Sequence, residues 1–149
     1  MTENTFSRVE KSDKRLYGPR KLLVCGYTDE DKAALRTMLA GLKIDDLPLV
    51  FAATGQLEWP LKRLLKLPGE TGRGEASNMR RAIIMSGISE KELHMILGGY
   101  RAVGLPAQLW ATLTPISEKW PLEMLLAELA AEREAMHRRQ TTGRDRKTS

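Results

Sequence analysis

The chain has one cysteine, Cys25, which excludes a disulfide framework. Histidine is almost as scarce. Only His94 and His137 are present, and no His-x-x-His or Cys-x-x-Cys spacing occurs, so the sequence offers no metal site and implies no cofactor. Aromatic residues make up 5%, too few for the stacking surfaces that read single-stranded nucleic acid. No apolar run approaches the ~18 residues of a membrane span. The opening MTENTFSRVEKSDKR lacks the apolar core of a secretory signal. These absences set the expectation of a reducing, cytoplasmic environment.

What is present is ordinary for a globular protein: 42% apolar and 29% charged residues over 149 positions. That length fits one domain or two very small ones. The net charge of +5 is uneven. Residues 1–20 carry +2 and residues 133–149 carry +4, while 21–132 carry −1. Within the body one stretch, Pro60 to Arg81, has six basic and two acidic residues. Its middle, PGETGRGEASN, has linker composition. The expected organisation is a flexible basic segment over 1–20, a first unit over 21–67, a linker loop over 68–80, a second unit over 81–136 and a disordered basic tail over 137–149.

The two units read as copies of each other. Shifted by 61 residues, LLVCGYTDED from Leu22 lies over IIMSGISEKE from Ile83, and WPLKRLL from Trp59 lies over WPLEMLL from Trp120, with no gap between the anchors. Only 6 of 46 positions are identical, but five of them fall in the single run W-P-L-x-x-L-L. Each unit predicts strand, helix, strand, helix. The first strand is an apolar run, LLVC or AIIM, closed by a glycine. Thr28 and Ser89 follow as helix N-caps, with Asp31 and Glu92 three residues on. Helical spacing then places Leu35, Met38, Leu39 and Leu42 on one face, and Leu93, Ile96, Leu97, Tyr100 and Val103 on the other unit's equivalent, with Gly104 as the stop. The second strands are PLVFAA and AQLWATLT. Pro60 and Pro121 suit the first helical position, and the last helix carries Leu122, Leu125, Leu126, Leu129 and Met136 on one face. This alternation predicts an α/β fold, two tandem βαβα repeats forming one four-stranded, mainly parallel sheet covered by helices. The alternative is a ferredoxin-like two-layer sandwich with a pseudo-twofold axis.

The second unit, from RAIIMSG through LAELAAERE, resembles a prokaryotic family known as domain of unknown function 3783. The resemblance rests on Gly87, Ser89 and Glu92 of the strand-Gly-x-Ser-x-x-Glu opener, and on Thr114, Pro115, Trp120, Leu125 and Leu126 of T-P-x-x-x-x-W-x-x-x-x-L-L. The family pattern has a polar Asn after Thr-Pro, and Ser117 stands there. The first unit matches only in degenerate form, with Ala53-Thr54 in place of Thr-Pro. The resemblance implies a domain boundary and a prokaryotic, cytoplasmic protein. It carries over no catalytic residue.

Residues that could bear chemistry cluster at the strand ends. Ligands of open α/β sheets settle beyond the carboxyl ends of the strands, where helix N-termini also favour anions. This places Gly26, Tyr27, Thr28, Gly87, Ile88 and Ser89 along one edge, with Thr114, Pro115 and Ser117 nearby. Capping and turn geometry alone also account for these residue types. Cys25, before a helix N-terminus, could have an activated thiol; as a small strand residue it fits a core position equally well. Trp59, Trp120 and Trp110 are expected in the core, with an exposed partner contact as the alternative for the first two. The leading expectation is a non-enzymatic domain that binds a protein partner or self-associates. The alternatives are a small anionic-ligand sensor at the strand ends, and a weak nucleic-acid binder using Arg138, Arg139, Arg144, Arg146 and Lys147.

Overall fold

The computed structural model describes residues 14–75 and 77–148, with side chains described through Arg139. Residues 1–13 of the expected N-terminal segment, and the side chains of Arg144, Arg146 and Lys147, lie outside this description.

The elements follow the anticipated alternation. They are β1 (Lys21–Cys25), α1 (Asp29–Gly41), β2 (Leu49–Phe51), α2 (Leu61–Leu64), β3 (Ala82–Ser86), α3 (Glu90–Ala102), β4 (Leu109–Thr112) and α4 (Leu122–Thr148). Short 3-10 turns over Thr54–Gln56 and Ser117–Lys119 precede α2 and α4. Both predicted caps form. Thr28 Oγ1 accepts from the Asp31 amide at 3.2 Å. Ser89 Oγ accepts from the Glu92 amide at 3.1 Å while Glu92 Oε1 accepts from the Ser89 amide at 3.0 Å, a full capping box.

The four strands make one sheet in the order β2-β1-β3-β4. The outer pairings, β1–β2 and β3–β4, are parallel, and the central pairing, β1–β3, is antiparallel. The sheet is therefore mostly parallel, but its two βαβ halves run in opposite directions. Registers repeat at a fixed offset: Leu22 pairs Leu49 and Val24 pairs Phe51, and 61 residues later Ile83 pairs Trp110 and Met85 pairs Thr112. The central ladder pairs Leu23 with Ile84, positions that are themselves 61 apart. Below the sheet the same offset recurs, with Pro60 bridged to Pro121. There the Leu61 amide donates to the Trp120 carbonyl at 3.0 Å and the Leu122 amide to the Trp59 carbonyl at 2.9 Å.

Strand side chains alternate between faces, and both faces are covered. Leu22, Val24, Ile83 and Met85 pack under α1 and α3 with Leu35, Met38, Leu39 and Ile96. Leu23, Cys25, Val50 and Ile84 pack under α2 and α4 with Leu61, Leu64, Leu122, Leu125 and Leu126. Two covered faces make three layers. A ferredoxin-like sandwich would leave one face bare, and strands apolar on both faces could not tolerate that exposure.

Several finer expectations need correction. Pro60 is the N-cap of α2 in extended conformation, not its first helical residue, because its carbonyl side is committed to the pairing with Pro121. Val103 caps the end of α3 and is 51% exposed. Met136 continues the apolar stripe of α4 but lies beyond the sheet and is 57% exposed. Trp110 sits on an edge strand and is only half-buried, its ring edge-on to Tyr100 at 5.1 Å. Residues 137–148, expected as a disordered tail, continue α4. Glu, Arg and Ala are strong helix formers, and Arg138 bonds Glu134 one turn back at 2.7 Å. Residues 14–20 are likewise docked on the fold, as described next.

Candidate functional site

The residues expected along one ligand-binding edge are divided between opposite ends of the sheet. The sequence places Gly26, Tyr27 and Thr28 after β1, and Gly87 and Ser89 after β3. Because β1 and β3 are antiparallel, with Cys25 opposite Ala82 and Lys21 opposite Ser86, their carboxyl ends point apart. Thr114 and Ser117 accompany the Gly87 end, since β4 runs parallel to β3. The anticipated single edge is corrected to two separate ends.

Each end is filled by the chain itself. At Gly87, with φ +64°, an added Cβ would collide with the Gly18 carbonyl and the backbone of Pro19 and Arg20. The Gly87 amide donates to the Tyr17 carbonyl at 3.0 Å, and Arg15 Nη2 donates to the Gly87 carbonyl at 2.9 Å. At Gly26, with φ +73°, a Cβ would meet the Met79 and Arg80 carbonyls. The Gly26 amide donates to Ser77 Oγ at 2.9 Å. The segment leading into each half's first strand thus closes the strand end of the other half. Thr114 and Ser117 bond each other: the Thr114 amide donates to Ser117 Oγ at 3.0 Å and the Ser117 amide to Thr114 Oγ1 at 2.9 Å. Charge also disfavours an anion, because Asp29, Glu30 and Asp31 fill the first turn of α1, and Glu90 and Glu92 that of α3.

Two arginines tie the halves together across the central ladder. Arg20, before β1, bonds Glu92 on α3 at 2.6 Å. Arg81, before β3, bonds Asp31 on α1 at 2.6 Å. Arg20 is the more exposed of the two and also reaches Asp46 at 3.2 Å. Burial opposes the charge on Glu92, but the hydrogen bonds from Arg20 and the Ser89 amide outweigh it and hold the carboxyl below its ordinary range. Arg81 lies in an aromatic setting. Its guanidinium is 3.8 Å from the Tyr27 ring centre, and Nε donates to Tyr100 Oη at 3.0 Å. Tyr27 Oη in turn donates to Gln108 Oε1 at 2.6 Å, and Tyr100 Oη donates to the Pro106 carbonyl. Burial pushes the Tyr27 hydroxyl up, away from ionisation.

Cys25 cannot serve as a nucleophile in this setting. It is fully buried, and burial pushes its thiol well above its ordinary 9.0. Among the described residues no cluster of His, Cys, Asp and Glu could hold a metal ion, and no helix is long and apolar enough to cross a membrane. His94 is exposed on α3. Trp59 and Trp120 are half-buried against the α2–α4 core, and Arg63 stacks on Trp59 at 3.7 Å. Lys62, Arg63, Lys66 and Lys119 line a small basic cleft between α2 and the following 3-10 turn. The charge bias over Pro60–Arg81 was its only signal in the sequence.

The feature that sequence reasoning missed is the difference between the two outer edges of the sheet. Along β2, residues 68–73 form a strap. The Glu70 amide donates to the Leu49 carbonyl at 2.7 Å, and the Phe51 amide donates to the Thr71 carbonyl at 2.9 Å. Arg36 pairs with Glu70, and buried Lys32 donates Nζ to the Arg73 carbonyl at 2.9 Å and the Glu75 carbonyl at 3.2 Å. The expected linker loop is therefore a docked edge cover. Along β4, no described residue takes this role. Instead an open cleft of about 1110 Å³ lies beside it, lined by Arg81, Gln108, Trp110, Ala130, Arg133 and Met136 among others. Arg81 Nη2 and Gln108 Nε2 are buried there without a partner among the described residues.

The molecule is a mixed α/β domain of two opposed βαβ halves, with one outer edge strapped and the other open. Residues 81–136, which contain the open half, match the family model described as Domain of unknown function (DUF3783) and belong to that family. No curated protein and no solved structure matches the chain.

Proposed function

We propose that this chain is a non-enzymatic protein-interaction module, built from two copies of one βαβα unit, that docks its partner on the open edge of β4. The observation that carries this reading is the unequal finish of two otherwise equivalent edges: β2 is bonded by Glu70 and Thr71, whereas β4 has no such cover among the described residues. An unpaired edge is a template for strand addition. Duplication is supported by the constant offset of 61 in the strand registers and at the Pro60–Pro121 bridge. The non-enzymatic reading is supported by the buried Cys25 thiol and by Thr114 and Ser117 hydroxyls engaged with each other. The anionic-ligand alternative takes no support from strand ends filled by backbone and ringed by carboxylates.

The test compares two baits, the wild-type chain and Thr112→Pro, in affinity capture. Thr112 is exposed and its amide points away from β3, so proline removes an outward donor without breaking the internal ladder. The wild type should retain a partner, or a differently tagged copy of itself, that the variant loses. Equal recovery on both baits would sink the reading.

A further inference from the structure

We propose that the occupant of the β4 edge is a second copy of this chain, joined by antiparallel β4–β4 pairing into a continuous eight-stranded sheet. This rests on the interaction reading above and names its partner.

The hydrogen-bond directions define the fit. The Leu109 amide donates to the Arg81 carbonyl and the Leu113 amide to the Met85 carbonyl, each at 3.0 Å. Alternation along the strand then sends the amides and carbonyls of Trp110 and Thr112 outward. Two outward residues flanking Ala111 are self-complementary. A twofold axis at Ala111 sets Trp110 opposite Thr112 of the second copy, and Thr112 opposite its Trp110. Both are hydrogen-bonded pairs of an antiparallel ladder, so every outward backbone group on both edges is used.

The edge carries none of the usual defences. Leu109–Thr112, LWAT, has no charge and no proline. Ala111 is small on the α4 side, which lets two α4 helices approach across the axis. Each α4 extends past its own sheet with Met136 exposed, and the second copy can cover it. The cleft wall presents Arg80 and Arg133 together with Glu132 and Glu134, so one surface offers both signs to its own twofold mate. The β2 strap leaves a single open edge per chain. Pairing therefore closes at two copies and does not propagate into a filament.

Sedimentation equilibrium of the full chain, combined with amide hydrogen exchange, tests this. The expected result is a species of twice 16.8 kDa, with Trp110 and Thr112 amides gaining protection as concentration rises. Thr112→Pro should raise the dimer dissociation constant roughly tenfold or more, since each copy loses a donor and faces an unpaired carbonyl. Thr112→Lys, which keeps the amide and sits at an exposed position, serves as a second variant and should weaken the dimer less. A monomer at all concentrations overturns the proposal, as does a dimer unchanged by both folded variants. If the chain is monomeric and wild-type capture still depends on Thr112, a different partner uses the edge and only the self-pairing fails.

Discussion

The first and second halves of this protein share a hydrogen-bonding plan at positions 61 apart but finish it differently. In the first half the edge strand is covered by the chain that follows α2. In the second half the equivalent chain has become the long helix α4, which leaves the sheet edge bare. The arginines diverge in the same way. Arg20 reaches two carboxylates near solvent, whereas Arg81 sits against Tyr27 and Tyr100 and bonds Asp31. The shared parts build the frame, and the parts that differ create a surface on one side only.

The sharpest way to break this comparison is to empty equivalent core positions. Leu61→Ala and Leu122→Ala each remove a fully buried side chain from the core beneath the sheet. Each should cost about 2–5 kcal/mol in urea unfolding. A loss below about 1 kcal/mol at either position would show that the two helices do not carry equivalent loads.

The arginines come next. Arg81→Ala should destabilise the fold by about 2–3 kcal/mol, since it strands Asp31 and removes a contact to two tyrosines. Arg20→Ala, at the more exposed equivalent, should cost about 1 kcal/mol or less. Equal losses would mean that the aromatic surroundings of Arg81 add nothing to the shared ion pair.

The strap offers a sharper asymmetry. Gly72 has φ +80°, and a Cβ there would run into the Phe51 carbonyl. Gly72→Ala should cost about 1–3 kcal/mol and speed hydrogen exchange at the Phe51 amide. With both edges then open, light scattering should rise with concentration as chains pair at two ends. Normal Phe51 exchange and unchanged scattering would show that the strap is not what guards β2.

The smallest effect is on pH. The Glu92 carboxyl is held below its ordinary 4.5, so the folded state binds its proton less readily than the unfolded chain. The stability it contributes is present above about pH 4.5 and is lost as pH falls through the lower folded value. Glu92→Gln should flatten the acid limb of the stability profile in this window. A limb of unchanged slope would show that the Arg20 pair has no part in it.

Much of the frame was legible in the sequence because it rests on local rules. Thr28 and Ser89 cap helices by residue type and spacing, and LLVC and AIIM announce strands buried on both faces. The offset of 61 anticipated every parallel register. The predicted ligand edge failed for a specific reason. An offset relates one unit to its copy but does not say whether the copies run in the same direction. One antiparallel ladder, Leu23 against Ile84, sends Gly26 and Gly87 to opposite ends. Met136 and Val103 were misjudged because helical spacing marks a face without saying where the sheet beneath it stops.

The sequence by itself determined the order of elements, their caps, the two-sided burial of the strands and the equivalence of Trp59-Pro60 with Trp120-Pro121. Each follows from near neighbours along the chain, through periodicity and capping. Only the tertiary structure decided which backbone groups were left over. Whether Leu49 and Phe51 find Glu70 and Thr71, and whether Trp110 and Thr112 find any cover, depends on the path of chain distant in sequence. Peptide groups are alike in every residue, so their pairing leaves no mark in the sequence of the strand that lacks it.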